Sequence, residues 1–171
     1  MNREGYTVRP IILSNSRKNE LNSKLMLFFT GFTRFSADIQ KSAEGSLKDK
    51  TNMLLKMKSL VDDAEQILTS KTDLCEFGRL LDDSWRLKRG LSTSVSTNAI
   101  DLLYEKALQT GAVGGKLLGA GGGGFLLFFV EKEKQQAVRR ALHDLLYVPF
   151  LFENTGTQVI HYTAEDYDLD E

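Results

Sequence analysis

The sequence predicts an α+β fold, one mainly antiparallel sheet of short strands with helices covering one face. Three observations predict it. The runs LMLFFT (Leu25 to Thr30) and FLLFFV (Phe125 to Val130) have the length and continuity of buried strands. Between them, apolar residues recur at three- and four-residue spacing, as in amphipathic helices. Gly111 to Val130, GAVGGKLLGAGGGGFLLFFV, holds more than half of the chain's 14 glycines and runs straight into the second apolar run. The resulting order is strand, strand, three or four helices, strand, strand, helix, strand, which separates strands from helices as α+β proteins do.

Tyr6 to Leu13 reads as a strand, with Pro10 pointing to an edge position or a bulge. Leu25 to Thr30 reads as a buried strand ended by Gly31, and Phe35 to Ala43 reads as a helix. Asp49 to Ser70 is the strongest helical pattern. Met53, Met57, Leu60, Ala64 and Ile67 share one stripe, beside Leu54, Val61 and Leu68. Such a Met stripe fits core packing better than a binding groove. Asp73 is placed to cap the next helix, whose Leu74, Phe77, Leu81 and Trp85 share a face. Trp85 is expected in the core, with its N–H satisfied by a neighbour. Asn98 is placed to cap a third helix and Gly111 to follow its end. Val113 to Leu118 and Gly124 to Val130 are then two strands flanking a glycine loop. Lys132 to Leu146 reads as a further amphipathic helix, and Thr157 to Tyr162 as a closing strand. The tail, AEDYDLDE, is acidic and reads as a solvated end.

At 171 residues, with 42% hydrophobic and 26% charged residues, one domain with a substantial core is expected. A net charge of −1 gives no electrostatic case for nucleic acid or an anionic membrane. The single cysteine, Cys75, excludes an internal disulfide framework and fits a reducing, cytoplasmic setting. It sits in an apolar helical pattern and reads as a small core residue. His143 and His161 have no metal-ligand spacing with it or with each other. No metal ligand and no catalytic residue is assigned within the chain. The start, MNREGYTVRP, is polar and unlike a signal peptide, and no apolar run approaches the ~18 residues of a membrane span.

Four glycines in a row at the mouth of a buried strand suggest a loop pressed against a ligand, its N–H groups open to an anion. Gly119, Gly121 and Gly124 fit G-x-G-x-x-G, but a strand follows where a dinucleotide site needs a helix. Leu117 stands where a P-loop needs Ser or Thr. Neither H-R-D nor D-F-G occurs, which excludes a protein kinase.

The glycine run after a helix, a preceding W-x-L-K and an early T-G-x-x-R together resemble the GHMP kinase superfamily of small-molecule kinases. The family's third signature, a glycine-rich run containing G-A-G-G-G-G, is matched by Lys116 to Gly124. Within it the chain is most similar to the D-glycero-D-manno-heptose 7-phosphate kinases. These carry T-G-x-x-R, here Thr30, Gly31 and Arg34. They also carry W-x-L-K and L-S-x-x-V-S, here Trp85, Leu87, Lys88, Leu91, Ser92, Val95 and Ser96. Thr97 stands where family members usually have Asn. The resemblance covers nearly the whole chain but only the C-terminal half of a family member. It implies a ferredoxin-like C-terminal domain over residues 1–171. The strings P-x-x-x-G-L-x-S-S-A and G-G-x-Q-D-Q, which carry the family's nucleotide loop and presumed base, do not occur.

What the resemblance implies is the substrate-binding or lid domain of an ATP-dependent sugar or sugar-phosphate kinase. ATP and Mg2+ would be bound mainly by an N-terminal GHMP domain supplied in cis or in trans. The isolated chain is expected to be inactive and to show some tendency to homodimerise. Gly119, Ala120, Gly121, Gly122, Gly123 and Gly124 are the expected wall of the site. Arg34, Lys88 and Arg89 are candidate phosphate ligands, since Arg binds phosphate bidentately, and Lys116 is placed to steer phosphate; plain surface charge is the equal alternative for Lys88, Arg89 and Lys116. Ser92 and Ser96 either contact a sugar or serve as turn and cap residues. The rival expectation is a non-enzymatic ferredoxin-like module that binds a metabolite or partner through a sheet face.

Overall fold

The computed structural model describes residues 9–32 and 50–153. Their elements are α1 (Asn15–Lys24), β1 (Leu25–Phe29), α2 (Thr51–Thr69), α3 (Cys75–Leu91), α4 (Asn98–Gln109), β2 (Ala112–Leu117), β3 (Phe125–Val130), α5 (Lys132–Ala141) and β4 (Leu146–Val148). The expected helix at Phe35 to Ala43, the strand at Thr157 to Tyr162 and the acidic tail lie outside the described residues. So does part of the Tyr6 to Leu13 strand, and residues 9–13 carry no regular structure.

The strands form one antiparallel sheet in the order β2-β3-β1-β4. β1 and β3 are its central pair, with Leu25 opposite Phe129 and Phe29 opposite Phe125. Their near-continuous apolar sequences follow from burial on both faces. Met26, Phe28, Leu126, Phe128 and Val130 enter one cluster with Ile100, Tyr104 and Ala107 of α4 and Val138 of α5. Leu25 and Phe129 enter another with Leu21 of α1, Leu81 of α3 and Leu74 just before α3. The helices therefore do not cover one face alone. β3 reads FLLFFV and has no polar alternation with which to face water.

Close approach sets α3 on the sheet. A Cβ on Gly114 would lie 2.1 Å from the Gly78 carbonyl oxygen, and one on Gly78 would lie 2.9 Å from the Phe129 ring. Only glycine at both positions lets the helix and β2 backbones touch. α2 packs outside α3. Its Met53, Met57, Leu60, Ala64 and Ile67 stripe is half-buried, no residue of α2 is fully buried, and Val61 stays 65% exposed.

Several sequence expectations shift by local chemistry. α1 was not anticipated, because NSRKNELNSK buries only Leu21 and shows no apolar period. Polar anchors hold it instead. Ser14 Oγ accepts the Arg17 N–H at 3.2 Å, Arg17 donates to the Ile67 carbonyl at 2.9 Å and to that of Thr72, and Asn22 bonds both Phe150 and Phe152. Asp73 accepts the Cys75 N–H at 3.0 Å, but the residue at the α3 N-cap is Leu74, one residue after the expected Asp73, and its side chain makes no cap bond. The α4 cap is Thr97, one residue before Asn98, its hydroxyl accepting the Ile100 N–H at 3.3 Å. The fourth expected helix stops at Ala141, and Leu146–Val148 is a three-residue strand beside β1. A strand that short leaves no period to read: the helix pattern takes in its first residue, Leu146, and leaves Tyr147 and Val148 unassigned. Trp85 is fully buried, yet its Nε1–H has no hydrogen-bond partner among the described residues. Trp85 packs in the apolar cluster with its ring centroid 6.1 Å from that of Tyr104.

Candidate functional site

The glycine run forms the connection between β2 and β3. Leu118 N–H donates to the Phe125 carbonyl at 2.8 Å and closes the hairpin. Gly119, Gly121, Gly122 and Gly124 have φ of 82°, 121°, 71° and 102°, the left-handed region that side chains with a Cβ resist. Gly111 (φ 119°) turns α4 into β2, as expected.

Two other segments brace this loop. From one side the Gly122 N–H donates to the Val95 carbonyl at 2.9 Å. From the other the Gly124 N–H donates to the Phe32 carbonyl at 3.0 Å, while the Gly124 carbonyl accepts from the Thr30 N–H at 2.8 Å and the Thr30 hydroxyl at 2.9 Å. A Cβ on Gly121 would lie 2.8 Å from the Val95 carbonyl oxygen, and one on Gly123 would lie 2.3 Å from that of Phe32. Thr30–Gly31 and the L-S-x-x-V-S segment thus meet on the glycine run, although 59 residues of sequence lie between them. Not every loop amide is open. Those of Gly122 and Gly124 are spent internally, and those of Gly119, Ala120, Gly121 and Gly123 take no backbone acceptor among the described residues. Around Gly119 a Cβ would meet open space. The outward part of the loop is therefore Gly119–Ala120, with Gly121 and Gly122 buried behind it.

The cations divide into two groups. Lys88 Nζ donates to the Gly119 carbonyl and, at 3.3 Å, to that of Leu117, so it grips the start of the loop. Lys116 Nζ lies 3.1 Å from Ser84 Oγ. Burial lowers the pKa of both, and the Lys116 charge lowers that of Lys88 further. Arg89 is instead paired with Asp101 at 2.6 Å, and Ser96 Oγ donates to the other oxygen of Asp101, also at 2.6 Å. Ser92 Oγ accepts the Ser94 N–H at 3.2 Å, a turn within the serine segment. Arg34 and His161 lie outside the described residues. His143 is exposed and sits 3.1 Å from Asp144.

Asp73, Cys75 and Glu131 bring three possible metal-ligand atoms within 4.8 Å of one another. Lys24 Nζ, 3.0 Å from Glu131 Oε1, already supplies the positive charge there. Burial, then the Glu131 carboxylate 3.0 Å from its sulfur, push the Cys75 thiol up to about 12. At neutral pH the group is a protonated thiol, poor as nucleophile and as ligand.

What the sequence reading missed is Tyr104. Its hydroxyl reaches Asp82 of α3 at 2.7 Å and both backbone groups of Gly115 at 3.0 and 3.1 Å. A tyrosine on an apolar helical face gives no sequence signal of a bond to a strand edge.

Residues 63–148, which contain the serine segment and the glycine loop, match the C-terminal family of the GHMP kinases. Over 143 residues the chain is 33% identical to D-glycero-alpha-D-manno-heptose 7-phosphate kinase of Campylobacter jejuni, covering 82% of this chain and 42% of that protein. A solved mevalonate kinase superposes with a TM-score of 0.65 over 80% of this chain and 42% of that one, at 21% identity. A D-glycero-D-manno-heptose 1-phosphate kinase from Bacteroides thetaiotaomicron does so with a TM-score of 0.57 over 85% and 38%, at 27% identity. The chain spans about two fifths of the length of each. No helix among the described residues is long and apolar enough to cross a membrane.

Proposed function

The chain belongs to the GHMP kinase family, by a C-terminal domain of that family, and from this premise we propose that it is the substrate-facing lid of an ATP-dependent sugar-phosphate kinase. One observation carries the reading. Two segments far apart in sequence, Thr30–Phe32 and Lys88–Val95, converge on the Leu118–Gly124 loop, whose backbone is held in the left-handed region by hydrogen bonds from both sides. Holding four such residues in place is a cost that a mere connection does not require.

The loop's own groups suit phosphoryl transfer. That reaction needs in-line placement, neutralisation of phosphate charge and exclusion of water more than covalent help from protein. The outward amides of Gly119 and Ala120 are donors fixed before the substrate arrives, so no reorganisation is needed as charge develops. Glycine there lets the backbone itself close on the substrate. Arg34, four residues after Thr30, is proposed as a ligand of a phosphate already on the sugar. Arg89 and Ser96 hold the serine segment through Asp101, and act on the site through Val95.

ATP supplies the phosphoryl group when bound. The described residues offer amides and lysines for phosphate oxygens, but bring no carboxylates to the loop for Mg2+. ATP and Mg2+ therefore fall to an N-terminal GHMP domain, in cis or in trans, and the 171 residues alone are proposed to be inactive. A heptose 7-phosphate is the acceptor favoured by likeness to the Campylobacter jejuni kinase.

The test joins this chain to the N-terminal domain of that kinase, fused or mixed, and follows ADP release with D-glycero-D-manno-heptose 7-phosphate. Sugar-dependent ADP release is expected from the assembly and not from the chain alone. No sugar-dependent release from a folded assembly would favour a non-enzymatic binding module.

A further inference from the structure

Two ammonium groups are held together beside the glycine loop with no carboxylate among the described residues to balance them. Lys88 and Ser84 stand one turn apart on α3, so they share a face of that helix. Lys116 enters from β2, and its Nζ lies 3.1 Å from Ser84 Oγ. Both lysines are about half-buried, and Lys116 is close enough for its charge to disfavour the charged form of Lys88. Six of the eighteen lysines and arginines among the described residues are treated differently, the partly buried Arg17, Lys24 and Arg89 among them. Arg9, Arg17, Lys24, Arg79, Arg86 and Arg89 each have an acidic partner within 4.0 Å, whereas neither Lys88 nor Lys116 has one among the described residues. Partly buried charge is normally paired, and two like charges without a partner cost stability that an anion would restore.

Resting on the kinase reading above, we infer that Lys88, Lys116 and Ser84 form a seat for a phosphate group at the root of the glycine loop. The Lys88 ammonium has three donors, two of them spent on the carbonyls of Leu117 and Gly119. Its third, the free donors of Lys116 and the Ser84 hydroxyl can converge on phosphate oxygens. The Gly119 and Ala120 amides lie next along the chain. A phosphate dianion fits this set better than a neutral hydroxyl, because it alone offsets both charges. The seat also couples binding to loop geometry, since the lysine that would meet the phosphate is the one that holds the Gly119 carbonyl. The substrate class is then a compound that carries a phosphate before the reaction. The nucleotide's own phosphates share this chemistry.

The test uses the full 171-residue chain. Inorganic phosphate, a hexose phosphate and ATP without metal are titrated separately at constant ionic strength, with chloride as the control. Binding is read from thermal shift and from amide resonances of residues 84, 88 and 116–121. Phosphate is expected to raise the melting temperature of the wild type beyond chloride and to shift those resonances. In Lys116→Met the apparent dissociation constant should rise at least tenfold, with the same circular-dichroism spectrum. Ser84→Ala, a milder change, should weaken binding severalfold. Tighter binding of hexose phosphate than of ATP assigns the seat to the acceptor, and the reverse assigns it to the nucleotide. Equal phosphate response in wild type, Lys116→Met and Ser84→Ala, or none in any of them, overturns the seat. That result leaves the kinase reading standing if the assembled enzyme still turns over, so the two can fail separately.

Discussion

The Tyr104 hydroxyl closes the outer edge of β2 at Gly115. It accepts the Gly115 N–H at 3.1 Å and lies 3.0 Å from the carbonyl oxygen of the same residue. β2 is an edge strand among the described strands, and Gly115, opposite Phe128, turns both backbone groups away from β3. An open edge of this kind is a template for unwanted pairing. Asp82 on α3, 2.7 Å away, accepts the hydrogen bond that the Tyr104 hydroxyl donates, since a carboxylate is the stronger acceptor. One side chain therefore joins α4, β2 and α3 just before the strand enters the glycine loop.

Tyr104→Phe should keep the ring packed against Phe128, 5.5 Å away, and lose only these bonds. The Gly115 N–H would be left without a partner and Asp82 would keep only Arg86, 2.7 Å from its other oxygen, at a cost of about 1–3 kcal/mol. At this chain length that is a fall of several degrees in melting temperature. Urea unfolding of the two proteins measures it. An unchanged midpoint would mean that water replaces the hydroxyl at no cost.

Arg89 was expected among the phosphate ligands, and its bond to Asp101 suggests otherwise. Arg89→Ala should lower stability by about 1 kcal/mol, as for a well-formed, partly exposed ion pair. In an assembled kinase it should leave KM for the sugar phosphate within about twofold. Asp101→Ala should cost more, because Asp101 also holds Ser96. A rise of tenfold or more in that KM for Arg89→Ala would return the residue to the binding site.

The Cys75 thiol sets a pH dependence with a definite sign. Its folded pKa is raised to about 12 from the ordinary 9.0, burial being the larger cause and Glu131 the next. Above about pH 9 the unfolded thiol ionises while the folded one keeps its proton, so the unfolded state binds fewer protons. The stability that Cys75 contributes is complete below that pH and declines as pH rises toward 12. The difference in unfolding free energy between wild type and Cys75→Ala should shrink steadily through this window. Alkylation of native protein by iodoacetamide at neutral pH should also be far slower than that of a free thiol. Rapid alkylation at pH 7 would contradict the raised pKa.

The legible parts of this fold were those with a period or a composition of their own. β1 and β3 announce themselves by continuous apolar runs, α2 and α3 by stripes, and the glycine loop by residues few other roles require. What stayed hidden depends on partners distant in sequence. α1 is held by polar anchors that only the folded chain brings to Arg17 and Asn22. β4 is three residues of edge pairing with β1. The division among the cations was equally unreadable. Arg89 and Lys88 are neighbours on one helix, and only the fold gives one a carboxylate and the other a pair of carbonyls. The burial of Trp85 was legible, but its unpartnered N–H was not, since satisfaction is a property of the neighbours.

The strongest check on the loop compares two glycines that differ in surroundings but not in backbone sign. Gly119 and Gly121 both have positive φ, so alanine at either costs about 1 kcal/mol or more in conformational strain. A Cβ at Gly119 would meet nothing, whereas one at Gly121 would lie 2.8 Å from the Val95 carbonyl oxygen. Backbone cannot swing aside as a flexible side chain can, so Gly121→Ala must push the loop away from the serine segment and stretch the Gly122 to Val95 bond. Gly121→Ala should therefore lower the melting temperature more than Gly119→Ala. Turnover should separate the two in a second way. In an assembled kinase Gly119→Ala places a methyl on the outward surface where substrate is proposed to lie, and should lower kcat/KM with little loss of stability. Gly122→Val, at φ 71°, should lower turnover sharply in a protein that still folds. If all three variants keep wild-type kinetics while their melting temperatures fall, the loop is a packing device, and the phosphoryl-transfer role proposed for it is wrong.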